Sequence, residues 1–341
     1  ISTNEVCVSP TSFGVKFKSS TANSYDSRNY NTATSFDISP QTLSSGDAFA
    51  LADFNDDNKI DVVMFEGSDY NQKLNVYVKN STNSTAFSSS NITQTNYADI
   101  NTVKWGRPGG LKVADFNGDG KLDVWGAMSG TDPLAITFKN TSTSTSAISF
   151  ASQGFIGSFA CYGATITDFN NDGKLDVFTG YPLSSYALEV YKNTTASASA
   201  GFTFDITGPG NQFSGTHSGT STGLAADLNK DGYDDHIAAG GAYVNIRKND
   251  TGLSFTALSS INVGGTVKSI KAYDFNNDGL EDLLVSNSTS NLSVYTNTST
   301  PGSTLSFNLT RTLLSTNNTS NNGISLADYN GDGKMNILVS G

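Results

Sequence analysis

The chain has 341 residues, of which 36 % are hydrophobic and only 15 % charged, with 33 glycines and a formal charge of −11. Such turn-rich β composition excludes a helical bundle, and no run approaches the ~20 apolar residues of a membrane-spanning helix. An acidic balance without any basic cluster excludes nucleic acid as a partner, because phosphates would be repelled.

The first elements, VKFK from Val15 and SFDI ending at Ile38, read as strands without a loop motif of their own. At Asp53 a nine-residue pattern begins, Asp-x-Asn-x-Asp-x-x-x-Asp, in the form DFNDDNKID. It returns at Asp115 (DFNGDGKLD), Asp168 (DFNNDGKLD), Asp227 (DLNKDGYDD), Asp274 (DFNNDGLED) and Asp328 (DYNGDGKMN), the sixth copy ending in Asn. Short apolar segments flank each copy, such as Ala-Leu-Ala before Asp53 and Ile-Asp-Val-Val-Met-Phe from Ile60. These flanks predict strands, so each loop closes a β-hairpin.

Oxygen-bearing side chains at positions 1, 3, 5 and 9, with a backbone carbonyl at position 7, suit a hard cation with six to eight oxygen ligands, which is Ca²⁺. The candidate ligands are Asp53, Asn55, Asp57, Lys59 and Asp61; Asp115, Asn117, Asp119, Lys121 and Asp123; and Asp168, Asn170, Asp172, Lys174 and Asp176. The later loops supply Asp227, Asn229, Asp231, Tyr233 and Asp235; Asp274, Asn276, Asp278, Leu280 and Asp282; and Asp328, Asn330, Asp332, Lys334 and Asn336. Position 7 varies freely because only its carbonyl would face the ion. Position 6 is Gly120, Gly173, Gly232, Gly279, Gly333 or Asn58, residue types that tolerate the positive φ of a tight ion loop. An EF-hand is excluded: position 12 is never Glu, and the flanks are not helical. Six dications would bring the charge of −11 close to neutrality.

The loop starts lie 62, 53, 59, 47 and 54 residues apart, a mean of 55, which points to a solenoid, propeller or array. After each of the first five loops comes a strand ending in a Lys/Thr-Asn-x-Ser/Thr turn, then a strand with Phe: LNVYVKNSTNSTAF, AITFKNTSTSTSAISF, LEVYKNTTASASAGFTF, VNIRKNDTGLSF and LSVYTNTSTPGSTLSF. Each unit is therefore four short strands, a propeller blade. The expected fold is an all-β, six-bladed propeller forming one domain over 1–341. Residues 1–45 would complete the blade begun at 320–341 and close the ring; seven blades is the alternative. The aromatic residues are expected to pack between blades, with Trp125 in the core.

The DFNGDGKLDV-type loops and LxVYKNT-type strands resemble the FG-GAP/VCBS repeat family, found in integrin α-subunit propellers and many bacterial surface proteins. The resemblance covers residues 15–341 and implies a calcium-stabilised propeller, up to six Ca²⁺, and a place outside the cell or on its surface. Asn336 departs from the pattern, so the sixth site has one carboxylate fewer. The family includes adhesins, lectins and propellers attached to polysaccharide-degrading enzymes.

No catalytic residue is expected. His217 lies in a Gly/Ser/Thr connector and His236 in a hairpin strand, neither beside a nucleophile motif. Glu66, Asp69, Asp99, Asp132, Glu189 and Asp205 are acids outside the loops that no spacing brings together. A binding or adhesion module is the better reading, with a glycan as the preferred ligand and an extracellular protein as the alternative. Aromatic-rich connectors opposite the loops are the candidate site: Trp105, Arg107, Asp69, Tyr70, Phe159, Tyr162 and Tyr181. An enzyme acting on polysaccharide, or a spacer in a larger surface protein, are further possibilities. The N-terminus shows no charged-then-apolar leader, which fits a mature or excised domain. Cys7 and Cys161 make no disulfide framework, and read as separate buried thiols or a single pair. Asn-x-Ser/Thr triplets start at Asn80, Asn83, Asn91, Asn140, Asn193, Asn249, Asn287, Asn291, Asn297, Asn308, Asn317 and Asn318; their recurrence at one repeat position favours a turn role over glycosylation.

Overall fold

The computed structural model describes residues 4–9, 12–17, 48–66, 73–79, 92–99, 108–128, 135–156, 163–180, 186–205, 212–214, 223–289, 292–314, 323–328 and 331–340. Every regular element among them is a strand, and every strand pairing is antiparallel. At the N-terminus, β1 (Asn4–Ser9) and β2 (Ser12–Phe17) pair with each other, setting Val6 opposite Val15 and Val8 opposite Phe13. The strand expected from Val15 is thus the end of a hairpin that starts earlier; the segment ending at Ile38 lies outside the described residues.

Four-stranded units follow. The first is β3 (Ala48–Ala52), β4 (Asp61–Glu66), β5 (Lys73–Lys79) and β6 (Ile92–Asp99). The second is β7 (Pro108–Ala114), β8 (Asp123–Met128), β9 (Ala135–Asn140) and β10 (Phe150–Ile156). In the third, β11 (Gly163–Thr167), β12 (Asp176–Gly180) and β13 (Tyr186–Asn193) carry a fourth strand in two pieces, β14 (Phe204–Asp205) and β15 (Gln212–Ser214), both paired to β13. The fourth repeats this with β16 (Gly223–Ala226), β17 (Asp235–Gly240), β18 (Tyr243–Thr251), β19 (Ser254–Ala257) and β20 (Ile261–Asn262). The fifth is β21 (Val267–Tyr273), β22 (Asp282–Asn287), β23 (Leu292–Tyr295) and β24 (Thr312–Leu314). A last hairpin, β25 (Gly323–Ala327) and β26 (Asn336–Ser340), holds the sixth loop.

First strands of successive units lie side by side, β3 against β7, then β11, β16, β21 and β25, so the units radiate from a shared inner row. That row curls. Lys112 on β7 and Lys271 on β21 stand three units apart, yet the Lys271 ammonium, after burial, helps hold the Lys112 pKa below the usual lysine value.

Because a sheet sits on either side of each inner unit, period-two alternation there sorts side chains between two interfaces instead of between core and solvent. Val124 packs with Phe54, Phe65, Phe138 and Phe150 between the first and second sheets. Its neighbour Trp125 packs with Phe116, Val177 and Tyr191 between the second and third, and is fully buried as expected. In the same way Phe178 meets Phe255 between the third and fourth sheets, and Ile237 and Leu283 meet between the fourth and fifth. Second strands accordingly read as continuous apolar runs.

The Phe at loop position 2 meets the Phe of the next unit's fourth strand. Phe54 and Phe150 have centroids 5.8 Å apart, Phe116 and Phe204 5.9 Å, and Phe169 and Phe255 5.5 Å, all edge-on. The expected packing of aromatics between blades is therefore present, and the recurring fourth-strand Phe has its explanation.

The C-terminal hairpin breaks the pattern. Val63, Trp125, Phe178, Ile237 and Leu284, each ten residues after the first Asp of its loop, are at most 1 % exposed, whereas Leu338 at the same place is 50 % exposed. Among the described residues, no strand pairs with β26 except β25, and no pairing joins β1–β2 to this hairpin. Ring closure and blade number are not given by these pairings.

Candidate functional site: six acidic loops and their inter-sheet clamps

Each loop joins the first strand of a unit to the second, as the flanks predict. Folding is local and repeats residue by residue. The first Asp accepts from the N–H of position 5 with one oxygen and of position 6 with the other: Asp57 and Asn58 to Asp53, Asp119 and Gly120 to Asp115, Asp172 and Gly173 to Asp168, Asp231 and Gly232 to Asp227, Asp278 and Gly279 to Asp274, Asp332 and Gly333 to Asp328. Position 5 accepts in turn from the N–H of position 7, as Lys121 to Asp119 at 3.0 Å.

Position 6 has positive φ in all six loops, 62° at Asn58 and 81° to 92° at the glycines. Position 4 has it too, at Asp56, Gly118, Asn171, Lys230, Asn277 and Gly331, a requirement the sequence pattern does not display. Lys230, at φ 55°, is the misfit, since a lysine in this region is strained by about 1 kcal/mol. Lys230→Gly is therefore expected to raise the unfolding free energy by about 1 kcal/mol in a urea titration. An unchanged or lower value would contradict the strain.

The last Asp of each loop is buried: Asp61, Asp123, Asp176, Asp235 and Asp282 are at most 1 % exposed. One oxygen accepts from the position 2 N–H, at 3.2 Å for Phe54 to Asp61, 3.0 Å for Phe116 to Asp123, 3.1 Å for Leu228 to Asp235 and 3.1 Å for Phe275 to Asp282. The other accepts from the main chain of an Asn at the end of the third strand, at 2.8 Å from Asn140, 2.8 Å from Asn193, 2.9 Å from Asn249 and 2.8 Å from Asn297.

Those asparagines join neighbouring sheets. Each Nδ2 donates to the position 2 carbonyl of the preceding unit's loop: Asn140 to Phe54 at 2.8 Å, Asn193 to Phe116 at 2.7 Å, Asn249 to Phe169 at 2.7 Å and Asn297 to Leu228 at 2.8 Å. Its second proton goes to its own loop, to Leu122, Leu175, Asp234 and Glu281. The hydroxyl of the triplet's third residue, Ser142, Thr195 or Ser299, accepts an N–H across the following turn. Here the Asn-x-Ser/Thr triplet is a structural clamp with both amide protons committed, and a glycan on that nitrogen is incompatible with it. The recurrence was visible in the sequence, but nothing local shows that the amide reaches into the adjacent unit.

Burial, opposed by these N–H bonds and reinforced by the other loop carboxylates, raises the pKa of Asp123 to about 7, of Asp176 to about 6 and of Asp235 to about 7; Asp282 is raised by the same causes. Carboxylates so placed lack nearby positive charge. Lysines reach the position 5 carboxylates instead: Lys59 of the same loop is 2.6 Å from Asp57, and third-strand Lys248 is 3.1 Å from Asp231, Lys192 3.5 Å from Asp172 and Lys139 3.8 Å from Asp119.

A divalent cation fits this donor set. The Asn55 and Asn229 side chains are buried and their amide oxygens accept no hydrogen bond, while their Nδ2 groups donate to Thr145 and Ser303 of other units. Two buried, unsatisfied oxygens at the position expected to be a ligand are what an oxygen-coordinated ion would satisfy. Among the described residues, no three His, Cys, Asp or Glu side chains are gathered as a metal cage; carboxylates turned onto backbone N–H groups account for that arrangement. Asn330 lies outside the described residues. So do Trp105, Arg107, Asp69, Tyr70, Phe159, Tyr162 and Tyr181, together with Cys161 and His217. His236 is packed, its ring stacked on Phe178 at 3.6 Å.

The FG-GAP-like repeat matches residues 53–126, 115–179, 168–238, 227–285 and 274–339, five overlapping copies each running from one loop through the next. The chain belongs to the FG-GAP-like repeat family. Among solved structures, this FG-GAP-like chain is similar to an Agrocybe aegerita lectin reported to recognise non-reducing terminal N-acetylglucosamine specifically. The TM-score is 0.56 at 16 % identity, over 91 % of this chain and 79 % of the lectin chain. At that identity the likeness is one of fold, and it agrees with propeller-like blades. No curated protein matches the chain.

Proposed function

We propose that this FG-GAP-like chain is a calcium-stabilised, six-bladed propeller that binds a glycan outside the cell and performs no catalysis. The observation that carries the glycan reading is the fold shared with a lectin over nearly the whole chain. Division of labour between the two ends of each sheet supports it. At one end the acidic loops and Asn clamps are bonded to one another, as holding blades together requires. At the other end lie the described turn at 241–242 and the connector at 263–266, and beside that turn Tyr243 is exposed. Stacking of exposed aromatic rings on sugar faces is the recognition such an end offers, and Trp105, Tyr70, Tyr162 and Tyr181 are our candidates for it.

Each loop would hold one Ca²⁺ through positions 1, 3, 5, 7 and 9, supplying the positive charge that the buried carboxylates lack. The half-exposed Leu338 supports ring closure by residues 1–45, whose strands would cover the last hairpin and remove its open edge.

A glycan array probed in millimolar Ca²⁺ and again in EDTA tests the reading. Specific binding in calcium that is lost with the chelator is the expected result. A blank array from folded, calcium-loaded protein would overturn it in favour of a protein-binding adhesion domain.

A further inference from the structure

Position 3 of the loop is Asn in all six copies, although Asp there would add a carboxylate to the ion's shell. An amide can do what a carboxylate cannot, offering an oxygen to one partner and an N–H to another. Asn55 Nδ2 donates to the Thr145 carbonyl at 2.7 Å, Asn117 Nδ2 to Ala198 at 2.7 Å and Asn229 Nδ2 to Ser303 at 3.2 Å. All three acceptors lie in the turn between third and fourth strands of the following unit. The Gly302 N–H of the last of these turns also donates to the Asn229 main-chain carbonyl, at 2.7 Å. These three asparagines are at most 8 % exposed, and the Oδ1 atoms of Asn55 and Asn229 accept nothing among the described residues.

The third loop differs, and the length of the facing turn explains it. In the second unit the turn runs from Thr141 to Ser149 and closes with the Thr141 N–H on the Ser149 carbonyl at 2.8 Å. In the fourth unit β18 passes into β19 around Gly252 and Leu253 alone, at φ 57° and 76°. That tight turn supplies no acceptor to the loop before it: among the described residues, Asn170 Nδ2 has no partner. Its neighbour Asn171, at position 4, donates to Gly232 of the fourth loop instead, at 2.8 Å. Asn170 is also less buried than the other three.

We infer that the position 3 asparagine is a two-sided ligand, with Oδ1 for the ion of its own loop and Nδ2 for the next unit's turn. The ion sites at Asp53, Asp115 and Asp227 are then inter-unit sites, and the Asp168 site lacks this reach. The inference rests on the calcium reading and extends it from holding a loop to fastening the next unit. An ion on Oδ1 fixes the amide plane and polarises its N–H, so the bond to the turn is made by a donor already ordered. Asp at position 3 would bring charge but no donor, and would set an oxygen against the turn carbonyl.

Hydrogen–deuterium exchange of the full chain in millimolar Ca²⁺ and in EDTA, with ions counted by native mass spectrometry, tests the coupling. In calcium, Asp53→Ala should speed exchange within 141–149 about tenfold, the worth of one buried hydrogen bond, and EDTA should do the same to the wild type. Asp227→Ala should act likewise on 298–306, whereas Asp168→Ala should leave 250–254 at the wild-type rate. Asn55→Asp separates the two sides of the ligand, because it keeps an oxygen for the ion and has no N–H for Thr145. It should bind as many ions as the wild type at saturating calcium, yet exchange within 141–149 as fast as Asp53→Ala. Protection of 141–149 that survives in Asn55→Asp would overturn the inference. So would an equal effect of Asp168→Ala on 250–254, which would mean only that a damaged loop loosens its neighbour. Turns indifferent to chelation and to Asp53→Ala, in a chain that binds calcium, would overturn the inference and leave the calcium reading standing. A chain that binds no calcium would remove both.

Discussion

Chelating calcium is expected to lower the melting temperature by on the order of 10 °C. A ligand that binds only the folded state stabilises it by RT ln(1 + [L]/Kd), and extracellular calcium modules have dissociation constants of about 0.1–1 mM, giving about 0.4–1.4 kcal/mol per loop at ~1 mM Ca²⁺. Six such loops together amount to about 2–8 kcal/mol, a large part of the stability of an ordinary domain. The loss should be cooperative, because each loop's position 2 residue packs against the next unit and its carbonyl is held by the next unit's Asn. Calorimetry in EDTA with calcium add-back checks it. A melt indifferent to the chelator would mean that the lysines and N–H groups already satisfy the carboxylates.

The second large effect needs no ion. Asn193→Ala removes a 2.7 Å bond to the Phe116 carbonyl, a 3.1 Å bond to Leu175 and the acceptor for the Thr195 N–H. Asn193 is fully buried, so these partners are left without water, at about 1–3 kcal/mol for each unsatisfied group. A loss of about 3–5 kcal/mol is expected in denaturant unfolding. Asn193→Asp keeps the shape and the acceptor but aims oxygens at two carbonyls, so it should be at least as damaging. An Asp variant as stable as wild type would show that the side chain does not donate to those carbonyls.

Much of this architecture is legible in the sequence because the loop is a local object. Asp and Asn at fixed spacing accept from N–H groups within five residues, and Gly or Asn at position 6 announces positive φ. Trp125 was readable as core because a second strand buried on both faces has to be apolar, and the fourth-strand Phe residues because they are the one aromatic recurring at that place in each repeat. What stayed hidden depends on neighbouring units. Asn140, Asn193, Asn249 and Asn297 look like turn residues until the preceding loop's carbonyl is seen beside them. Positive φ at position 4 is masked by Lys230, which takes a conformation its residue type disfavours. The division of the fourth strand at β14 and β15, and at β19 and β20, has no counterpart in the recurring pattern of apolar residues. For the ligand site, the sequence offered aromatic composition alone; Trp105 and its companions have no repeat to fix their register.

The most direct test of the central claim is to count the ions. Native mass spectrometry of the metal-stripped chain, titrated with Ca²⁺, should show binding that rises to six per chain. The ion at the Asp328 loop should be last and weakest, because Asn336 stands where the other loops have their third carboxylate. Asp115→Ala should remove one ion from the count without abolishing the rest. A chain that stays folded and binds none would contradict the account, leaving the loops as hydrogen-bonded turns and the Asn clamps as the principal bonds between sheets.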